Sequence, residues 1–405
     1  MRLRTIALAA PACAAALAAA TTPAHAASRL IIRGGGFGHG IGMSQYGTLG
    51  FAKHGKDHRF ILGHYYRGTQ LGKLDSSARV RVLVQSTTRI SFSGAVDVPG
   101  AKKLDPSRTY RATRKLSGGV TLRTASGGLV GNYASPLTVI GSSGAIRLSG
   151  RSGNGVSNGR YRGNLQIRPS SIGGLNAINQ LKLEHYVRGV VAGESPASWP
   201  AQALRAQAVA ARTYAITTSK GGAGFDQYSD TRSQVYNGIA GERASTNAAT
   251  AATSGEVVTY EGKPVVTYYF STSGGRTENI EYSFVGAVPK PWLRSVDDPY
   301  DDESPYHKWA VRMSLGQAQR RLGGLVKGSL RRIRVLTRGR SPRVVRAQII
   351  GTKGSRRTTG PVLRSRLGLR DTWARFTVIT SSGSQGDGNA PARARHGEGG
   401  VMPQA

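Results

Sequence analysis

An α+β fold is predicted for this chain: a mixed core of helices and strands with a small antiparallel β subdomain inserted into it. The 405 residues include 55 Gly but only 8 Phe and 4 Trp, a composition typical of turn-rich β or α+β proteins and not of helical bundles. Short segments that alternate in polarity, at 79–85 and 119–123, are separated by Ser-Gly-Gly turns. Since 39% of the residues are hydrophobic, wholesale disorder is excluded.

The first 26 residues have the three parts of a secretory signal peptide. Arg2 and Arg4 precede an apolar run at 6–20, and Ala-His-Ala at 24–26 fits a cleavage site. A transmembrane anchor is the alternative, but the run is short and contains Pro11. We therefore expect a secreted protein of the cell wall, out of contact with the membrane after cleavage. The lone cysteine, Cys13, lies in this segment, so the mature chain is expected to have no disulfide and no thiolate zinc site.

The mature chain follows in four parts. A glycine-rich segment at 27–78 includes a predicted helix at 45–66, and the β-rich subdomain covers 79–175. The core at 176–380 is expected to contain a helix at 200–218, strands at 256–260 and 265–271, and an amphipathic helix at 314–322. The remainder, 381–405, has almost no apolar residues and is predicted to be a disordered tail.

The net charge of +35 predicts a polyanionic partner. Residues 310–380 alone contain eighteen Lys and Arg against a single acid, Asp371. Nucleic acid is not expected, because no recognition helix, zinc finger or aromatic RNA-binding pattern is present. For an exported protein, anionic wall polymers are the more plausible partner.

Glu194 is the leading candidate for acid–base chemistry, since only Glu184 and Glu194 are acidic between Asp105 and Asp226. The β-branched run before it indicates a strand, so Glu194 is expected at a strand-to-helix junction. A helix N-terminus would favour the carboxylate, whereas burial would favour the neutral acid that a general acid requires. The alternative is a capping or solvated residue. Glu184 is interpreted as structural.

Three other segments offer polar side chains for a binding groove. In the glycine cluster at 34–47, polar side chains have no bulky neighbours. The Ala-rich helix at 200–218 is expected to be buried but carries a few polar side chains, and a predicted strand ends in hydroxyl side chains at 271–273. Alternatively, the glycine cluster is a turn whose histidine is hydrogen-bonded within the protein, and the Ala-rich helix is purely structural. No GxSxG elbow supports a serine hydrolase. The candidates are His39, Ser44, Gln45, Gln207, Arg212 and Ser273.

No metal or other cofactor is predicted. The acidic cluster at 297–303 lacks the spacing of an EF-hand loop, so we expect a solvated loop paired with the Arg-rich C-terminal part. His54 and His58 lie four residues apart on the predicted helix, but no third ligand is evident. They are interpreted as surface residues.

Together these motifs resemble the SpoIID/LytB family of stage II sporulation protein D and amidase-enhancer proteins. The resemblance covers roughly 33–380. The matching motifs are GHGIGMSQYG (38–47), HYYRGT (64–69), LEHYVRGVVAGESP (183–196), AQAVAARTY (206–214), DTRSQVYNG (230–238), STSGGRT (271–277), DPYD (298–301), SPYH (304–307) and LGLRDTW (367–373).

Two features depart from the family pattern. Members from sporulating firmicutes carry the GHGxGMSQYG segment near the C-terminus, whereas here it opens the mature chain. If the fold is kept, the segment must reach its place from the other terminus, as in a circular permutation. Any Cys/His zinc site of relatives cannot be transferred, because the mature chain is expected to lack cysteine.

The resemblance implies a lytic transglycosylase that cleaves the MurNAc–GlcNAc bonds of peptide-stripped glycan strands and forms 1,6-anhydro-MurNAc. Glu194 matches the family's catalytic glutamate, and the six candidates above would line the groove. One carboxyl group suffices because the sugar's own C6 hydroxyl replaces water, whereas ordinary glycosidases need two. The competing hypothesis is a non-enzymatic wall-binding protein that stimulates an N-acetylmuramoyl-L-alanine amidase.

Overall fold

The computed structural model describes residues 28–75, 77–222 and 224–380, so the predicted signal peptide and tail lie outside the described residues. The helices are α1 (Gln45–Lys53), α2 (His58–Tyr65), α3 (Leu183–Glu194), α4 (Ala201–Thr217), α5 (Ala244–Ala252), α6 (Ile280–Ser283), α7 (Leu315–Leu322) and α8 (Gly360–Leu367). The strands are β1 (Arg29–Gly35), β2 (Met43–Ser44), β3 (Gln70–Lys73), β4 (Arg79–Thr87), β5 (Arg89–Ser93), β6 (Ala95–Val98), β7 (Lys102–Lys103), β8 (Tyr110–Arg114), β9 (Val120–Thr124), β10 (Leu129–Tyr133), β11 (Leu137–Leu148), β12 (Arg160–Pro169), β13 (Leu175–Lys182), β14 (Gln227–Tyr228), β15 (Glu256–Tyr260), β16 (Lys263–Pro264), β17 (Tyr269–Phe270), β18 (Lys308–Ser314), β19 (Leu330–Arg338), β20 (Val344–Gly351), β21 (Gly354–Thr359) and β22 (Ala374–Ile379).

The β-rich segment forms most of an 11-stranded sheet with the main order β10-β9-β8-β5-β11-β12-β13-β4-β14. Its pairs are antiparallel except at one edge, where β14 runs parallel to β4. The sheet continues through β13, beyond the predicted boundary at 175, and its buried residues share one hydrophobic core with α2, α3 and α4. Strand and helix layers in this part of the chain are therefore fused through one interior.

A second hydrophobic core lies in the C-terminal part. It collects buried residues from β1, β18, β19, β20, β22, α7 and α8, among them Leu30, Ile32, Ile349 and Leu367. Here β1 is the middle strand of a three-stranded antiparallel sheet, with β18 on one side and β22 on the other. The segment predicted as one core at 176–380 thus contributes to two separate interiors.

The glycine-rich segment joins the two cores. Gly36, Gly38, Gly40 and Gly42 all have positive φ, between 74° and 127°, which only glycine adopts readily. The loop contacts both sides: the Phe37 N–H donates to the Thr272 carbonyl in the first core's unit, and the Gly38 N–H donates to that of Arg370 in the second. The glycines therefore allow close approach of protein backbone.

Helix α3 corrects the strand expected before Glu194. Its buried residues follow helical spacing, as Leu183, Tyr186, Val187, Val190 and Val191 do. This tertiary burial outweighs the β preference of the valines. The motif places Glu194 at a helix C-terminus instead of at the end of a strand.

Other elements agree with or refine the predictions. The expected helices at 200–218 and 314–322 and the strand at 256–260 are present as α4, α7 and β15. The helix predicted at 45–66 is two helices, because Gly55 takes a positive φ and Asp57 caps α2 by accepting from the Phe60 N–H. Of the strand predicted at 265–271, only the two residues of β17 form a paired strand.

Within the described residues, none of the helices combines the length and apolarity needed to cross a bilayer.

Candidate active site

Glu194 is the last residue of α3 and is buried, with 6% of its surface exposed. Its Oε1 accepts a hydrogen bond of 2.7 Å from the backbone N–H of Val235. Among the described residues, no Lys or Arg forms an ion pair with this carboxyl group. The C-terminus of α3 does not stabilise a negative charge on Glu194 either, because the helix dipole is negative at that end.

Burial raises the pKa of Glu194 from 4.5 to about 7. The Val235 N–H, the Gln45 amide and the Tyr269 hydroxyl lower this pKa, but removal from water outweighs them. A carboxyl group with such a pKa exists in both protonation states near neutral pH, which is the property that a group acting first as acid and then as base requires.

Two of the predicted groove residues lie beside Glu194. The Gln45 Nε2 donates to the Glu194 carbonyl oxygen at 2.9 Å and to the Gln207 Oε1 at 3.4 Å. Ser44 caps α1 and thereby fixes the start of the helix that carries Gln45, while Gln207 comes from α4. The GHGIGMSQYG segment therefore contacts the LEHYVRGVVAGESP helix directly.

Small residues on α3 bring the Val235 segment close enough to bind the carboxyl group. A Cβ on Gly193 would lie 2.7 Å from the Val235 carbonyl oxygen, and one on Gly189 would lie 2.5 Å from a ring carbon of Tyr236. Gly189 and Gly193 are one helical turn apart and share a face. This face presses against the 235–236 segment, which sets the position of the Val235 N–H.

A cleft of about 590 Å³ opens next to Glu194. Its lining includes Gly193 and Val235, the chain neighbour and the hydrogen-bond donor of Glu194, together with Asp230 and Thr231. The Arg232 guanidinium lowers the pKa of Asp230 despite partial burial, so this second carboxyl group is ionised at neutral pH. Asp230 therefore gives the cleft wall a permanent carboxylate, whereas Glu194 is not itself a lining residue and adjoins the wall through Gly193 and Val235.

Trp199, on the turn that follows Glu194, and Tyr46, on α1, form an edge-to-face ring pair with centroids 5.3 Å apart. Both rings are half-buried. Half-buried aromatic rings can contact the apolar face of a ligand, although neither ring is among the lining residues of the cleft.

Three predicted groove residues are instead internal. Arg212 is fully buried, and its guanidinium binds Glu184 in a bidentate pair and donates to backbone carbonyls of the core. Ser273 is fully buried and donates to Asp301, and the Ser44 hydroxyl accepts from the Gly47 N–H. These polar groups are satisfied within the protein, and, like the buried Gln45 and Gln207, they do not line the cleft beside Glu194. Glu184, interpreted as structural, does hold Arg212.

His39 faces a different cleft from the one beside Glu194. Its Nδ1 accepts from the Ile41 N–H, and its ring contacts Tyr268, Phe270 and Phe284. Burial lowers the pKa of His39 to about 3, with Arg364 and Arg343 adding to the effect. The imidazole is therefore neutral at physiological pH.

The acidic cluster at 297–303 is not the solvated loop that was expected. Asp298 and Asp301 are buried and are hydrogen-bonded inside the protein. Tyr65 donates to Asp298, while Ser273 and the Gly274 N–H donate to Asp301. In the described chain, the cluster's ion pairs go to Arg276, His307 and Lys53, and none goes to the C-terminal part. The prediction of pairing with that part was wrong.

His58 is likewise not a surface residue. It is 8% exposed and bridges Gln202 and Glu256. His54 is exposed and stacks on Tyr300. Across the described residues, no group of three or more His, Cys, Asp and Glu side chains could hold a metal ion.

One face of the β19-β20-β21 sheet carries four exposed arginines, which we call the arginine face: Arg332, Arg334, Arg346 and Arg357. The opposite side contributes Ile333, Ala347 and Ile349 to the second core. Within the described chain, none of the four forms an ion pair. The face is therefore an uncompensated positive surface.

Sequence reasoning missed the groups that position and tune Glu194. The Val235 N–H is a backbone donor, which no residue type reveals, although it lies within the recognised DTRSQVYNG motif. The glycine spacing on α3 could have been recognised if the segment had been identified as a helix. Its apolar residues do repeat at intervals of three and four.

Comparison with known proteins matches residues 171–260 to the family model described as "SpoIID: Stage II sporulation protein". Stage II sporulation protein D of Bacillus amyloliquefaciens is 32% identical over 55% of this chain and 69% of the relative. That of Bacillus subtilis (strain 168) is 35% identical over 41% of this chain and 54% of the relative. The B. subtilis protein named amidase enhancer is 36% identical over 35% of this chain, but only 19% of the relative is covered. The matched stretch contains Glu194 and its Val235 partner, and on the breadth of the first match this chain belongs to the stage II sporulation protein D family.

Proposed function

We propose that this protein is a peptidoglycan lytic transglycosylase that cleaves MurNAc–GlcNAc bonds in peptide-stripped glycan strands. Membership of the family and the names of the relatives support a role at the cell wall. The observation that carries the proposal is the buried Glu194 carboxyl group: its pKa is raised to about 7, and its neighbours Gly193 and Val235 line an open cleft.

The reaction needs one group that gives and then receives a proton. Neutral Glu194 protonates the glycosidic oxygen as the bond from C1 of MurNAc to that oxygen breaks. The C6 hydroxyl of the same sugar then attacks C1, and its proton passes to the Glu194 carboxylate. The products are a 1,6-anhydro-MurNAc end and a free GlcNAc 4-hydroxyl, so the acid is regenerated and no water is consumed.

The surroundings of Glu194 support these steps. Burial keeps the acid neutral at the start, while the Val235 N–H and the Gln45 amide stabilise the carboxylate formed midway. The half-buried Trp199 ring, on the turn after Glu194, and the Tyr46 ring packed against it are suited to contact sugar rings.

Mass spectrometry of products from denuded glycan tests the proposal. We expect fragments with anhydro ends from the wild-type protein, and a loss of at least about a hundredfold in the Glu194→Gln variant with glycan binding retained. The exposed Glu261→Gln change is the matched control and should leave the rate unaltered. Activity should also fall as the pH rises above about 7, because the acid becomes ionised.

A non-enzymatic amidase enhancer is the second candidate, favoured by the relative of that name. It predicts unchanged strands under the wild-type protein and faster cleavage by an added N-acetylmuramoyl-L-alanine amidase. The Glu194→Gln variant would then enhance the amidase as well as the wild type does, which separates the two functions in one assay.

The arginine face supports a further proposed partner, the anionic polymers of the wall. Four exposed guanidinium groups without ion pairs among the described residues produce a field that attracts phosphate and carboxylate chains. Such binding would serve either function, by holding a secreted protein on the wall.

A further inference from the structure

A cleft of about 790 Å³ lies where the two hydrophobic cores meet. Its walls come from the glycine-rich loop (Gly38, His39), from Thr231 and Phe284 of the first core's unit, and from α8 and the residues after it. This cleft is separate from the one beside Glu194, but Thr231 borders both. We call this cleft between the two cores the interdomain cleft. A linear ligand that occupies the Glu194 cleft can therefore continue across Thr231 into the interdomain cleft.

The interdomain cleft is positively charged. Arg364 and Arg370 line it, and none of its lining residues is acidic. His39 adds no charge, because its pKa of about 3 leaves it neutral. An anionic group is accordingly the ligand that this cleft favours.

Arg364 is a partly buried cation without a hydrogen-bonding partner for its guanidinium among the described residues. It is half-buried on α8, and in the described part of the chain no hydrogen bond or ion pair reaches its guanidinium. The nearby Asp371 attracts this charge but forms no hydrogen bond with it, because both oxygens of that carboxylate are bound by Arg343. A half-buried guanidinium without partners costs free energy in the unliganded protein, and a bound anion would remove that cost.

Arg370 is oriented by aromatic rings. Its guanidinium carbon lies 4.2 Å from the centre of the Tyr306 ring and 5.9 Å from that of Phe37. Stacking on a ring restricts the side chain while leaving its N–H donors free, so less entropy is lost when it binds a carboxylate.

We propose that Arg364 and Arg370 bind the lactyl carboxylate of a stripped muramic acid residue, at a subsite beyond the cleaved bond. This inference rests on the proposed function. In intact peptidoglycan the lactyl group is an amide with no charge, whereas removal of the peptide leaves a carboxylate that an Arg can bind in a bidentate manner. The subsite would thus select stripped strands, because a peptide-bearing sugar leaves the guanidinium groups unpaired.

The test measures binding without turnover, in the Glu194→Gln protein. Calorimetry compares a stripped GlcNAc–MurNAc tetrasaccharide, the same sugar carrying stem peptides, and chitotetraose, which has the same backbone but no lactyl groups. We expect the stripped sugar to bind at least about tenfold more tightly than the other two. Adding Arg364→Ala or Arg370→Ala should abolish this preference and leave the affinity for chitotetraose unchanged.

Arg366→Ala is the matched control, since Arg366 is exposed on the same helix and does not line the cleft. Arg364→Lys guards against misfolding, because it keeps the charge while losing bidentate geometry, and it should retain an intermediate preference. The subsite proposal would be overturned if correctly folded Ala variants lost affinity equally for all three sugars, or lost no affinity for any of them. If the Glu194→Gln protein shows the preference but the wild type cleaves nothing, the proposed function fails while the subsite stands.

Discussion

The Glu194→Gln substitution is expected to stabilise the folded protein at alkaline pH while it removes activity. An ordinary glutamate has a pKa of 4.5, and burial raises that of Glu194 to about 7. Between these values the folded state binds a proton that the unfolded state has lost. Stability therefore falls as the pH rises from 4.5 to about 7, and the full cost is present above pH 7. At about 1.4 kcal/mol per pH unit, this cost is about 3 kcal/mol.

Glutamine has the shape of the neutral acid and keeps an oxygen to accept the Val235 N–H, but it never ionises. At about pH 4 the variant and the wild type should therefore be equally stable. At about pH 8.5 the variant should unfold about 4 °C higher, from an unfolding entropy of about 2.1 cal/mol/K per residue over roughly 350 residues.

Differential scanning calorimetry of both proteins across this pH range measures the effect. Glu261→Gln, at an exposed turn, controls for the loss of one negative charge. Its melting temperature should equal that of the wild type at every pH. A melting temperature that is the same for Glu194→Gln and wild type at the alkaline end of the range would refute the reasoning, because it would mean that the Glu194 carboxyl group ionises at no cost.

Three further predictions concern packing, chemistry and wall binding. Gly189→Ala should destabilise the protein by about 1–3 kcal/mol in chemical denaturation, since its Cβ has no room, whereas Gly63→Ala on α2, with open space, should stabilise it by up to about 1 kcal/mol. Asp230→Asn should leave anhydro products unchanged; reducing-end products that the wild type makes and the variant does not would instead identify Asp230 as the base of a hydrolase. Replacing Arg334 and Arg357 by Glu should reduce co-sedimentation with cell walls several-fold at physiological salt, without slowing cleavage of a short soluble oligosaccharide, and wild-type binding should weaken as salt is added.

Much of the fold follows from local sequence patterns. Helix α4 is predicted because its Ala-rich segment begins after Pro200 and contains good helix formers, and α7 because its segment is amphipathic; the structure adds a capping box made by Ser314 and Gln317. The error at α3 has a physical cause. Three valines favour a strand locally, and only burial against the sheet and Tyr236 decides for a helix.

The candidate site was only partly predictable. Glu194, Gln45 and Gln207 come from segments distant in sequence; all three were candidates from the motifs, and the structure brings them into contact. Arg212 was expected in the groove but binds Glu184 inside the protein. The sequence does not distinguish these cases, because an arginine on an apolar helix is compatible with either a site or a buried partner. The interdomain cleft containing Arg364 could not be predicted, since it exists only where two separate cores meet.

The position of β1 constrains how this protein reaches its native state. Leu30 pairs with Met313 on one side and Val378 on the other, so the two contacts join residues 283 and 348 positions apart. Such contacts raise the contact order and are made slowly, because long chain segments must be brought together first. An exported chain would expose the unpaired β1 edge until its last strands arrive, and during that interval the edge is open to pairing with other chains. Assembly of the second core, with the interdomain cleft beside it, is thus expected to be the final and most error-prone stage of maturation.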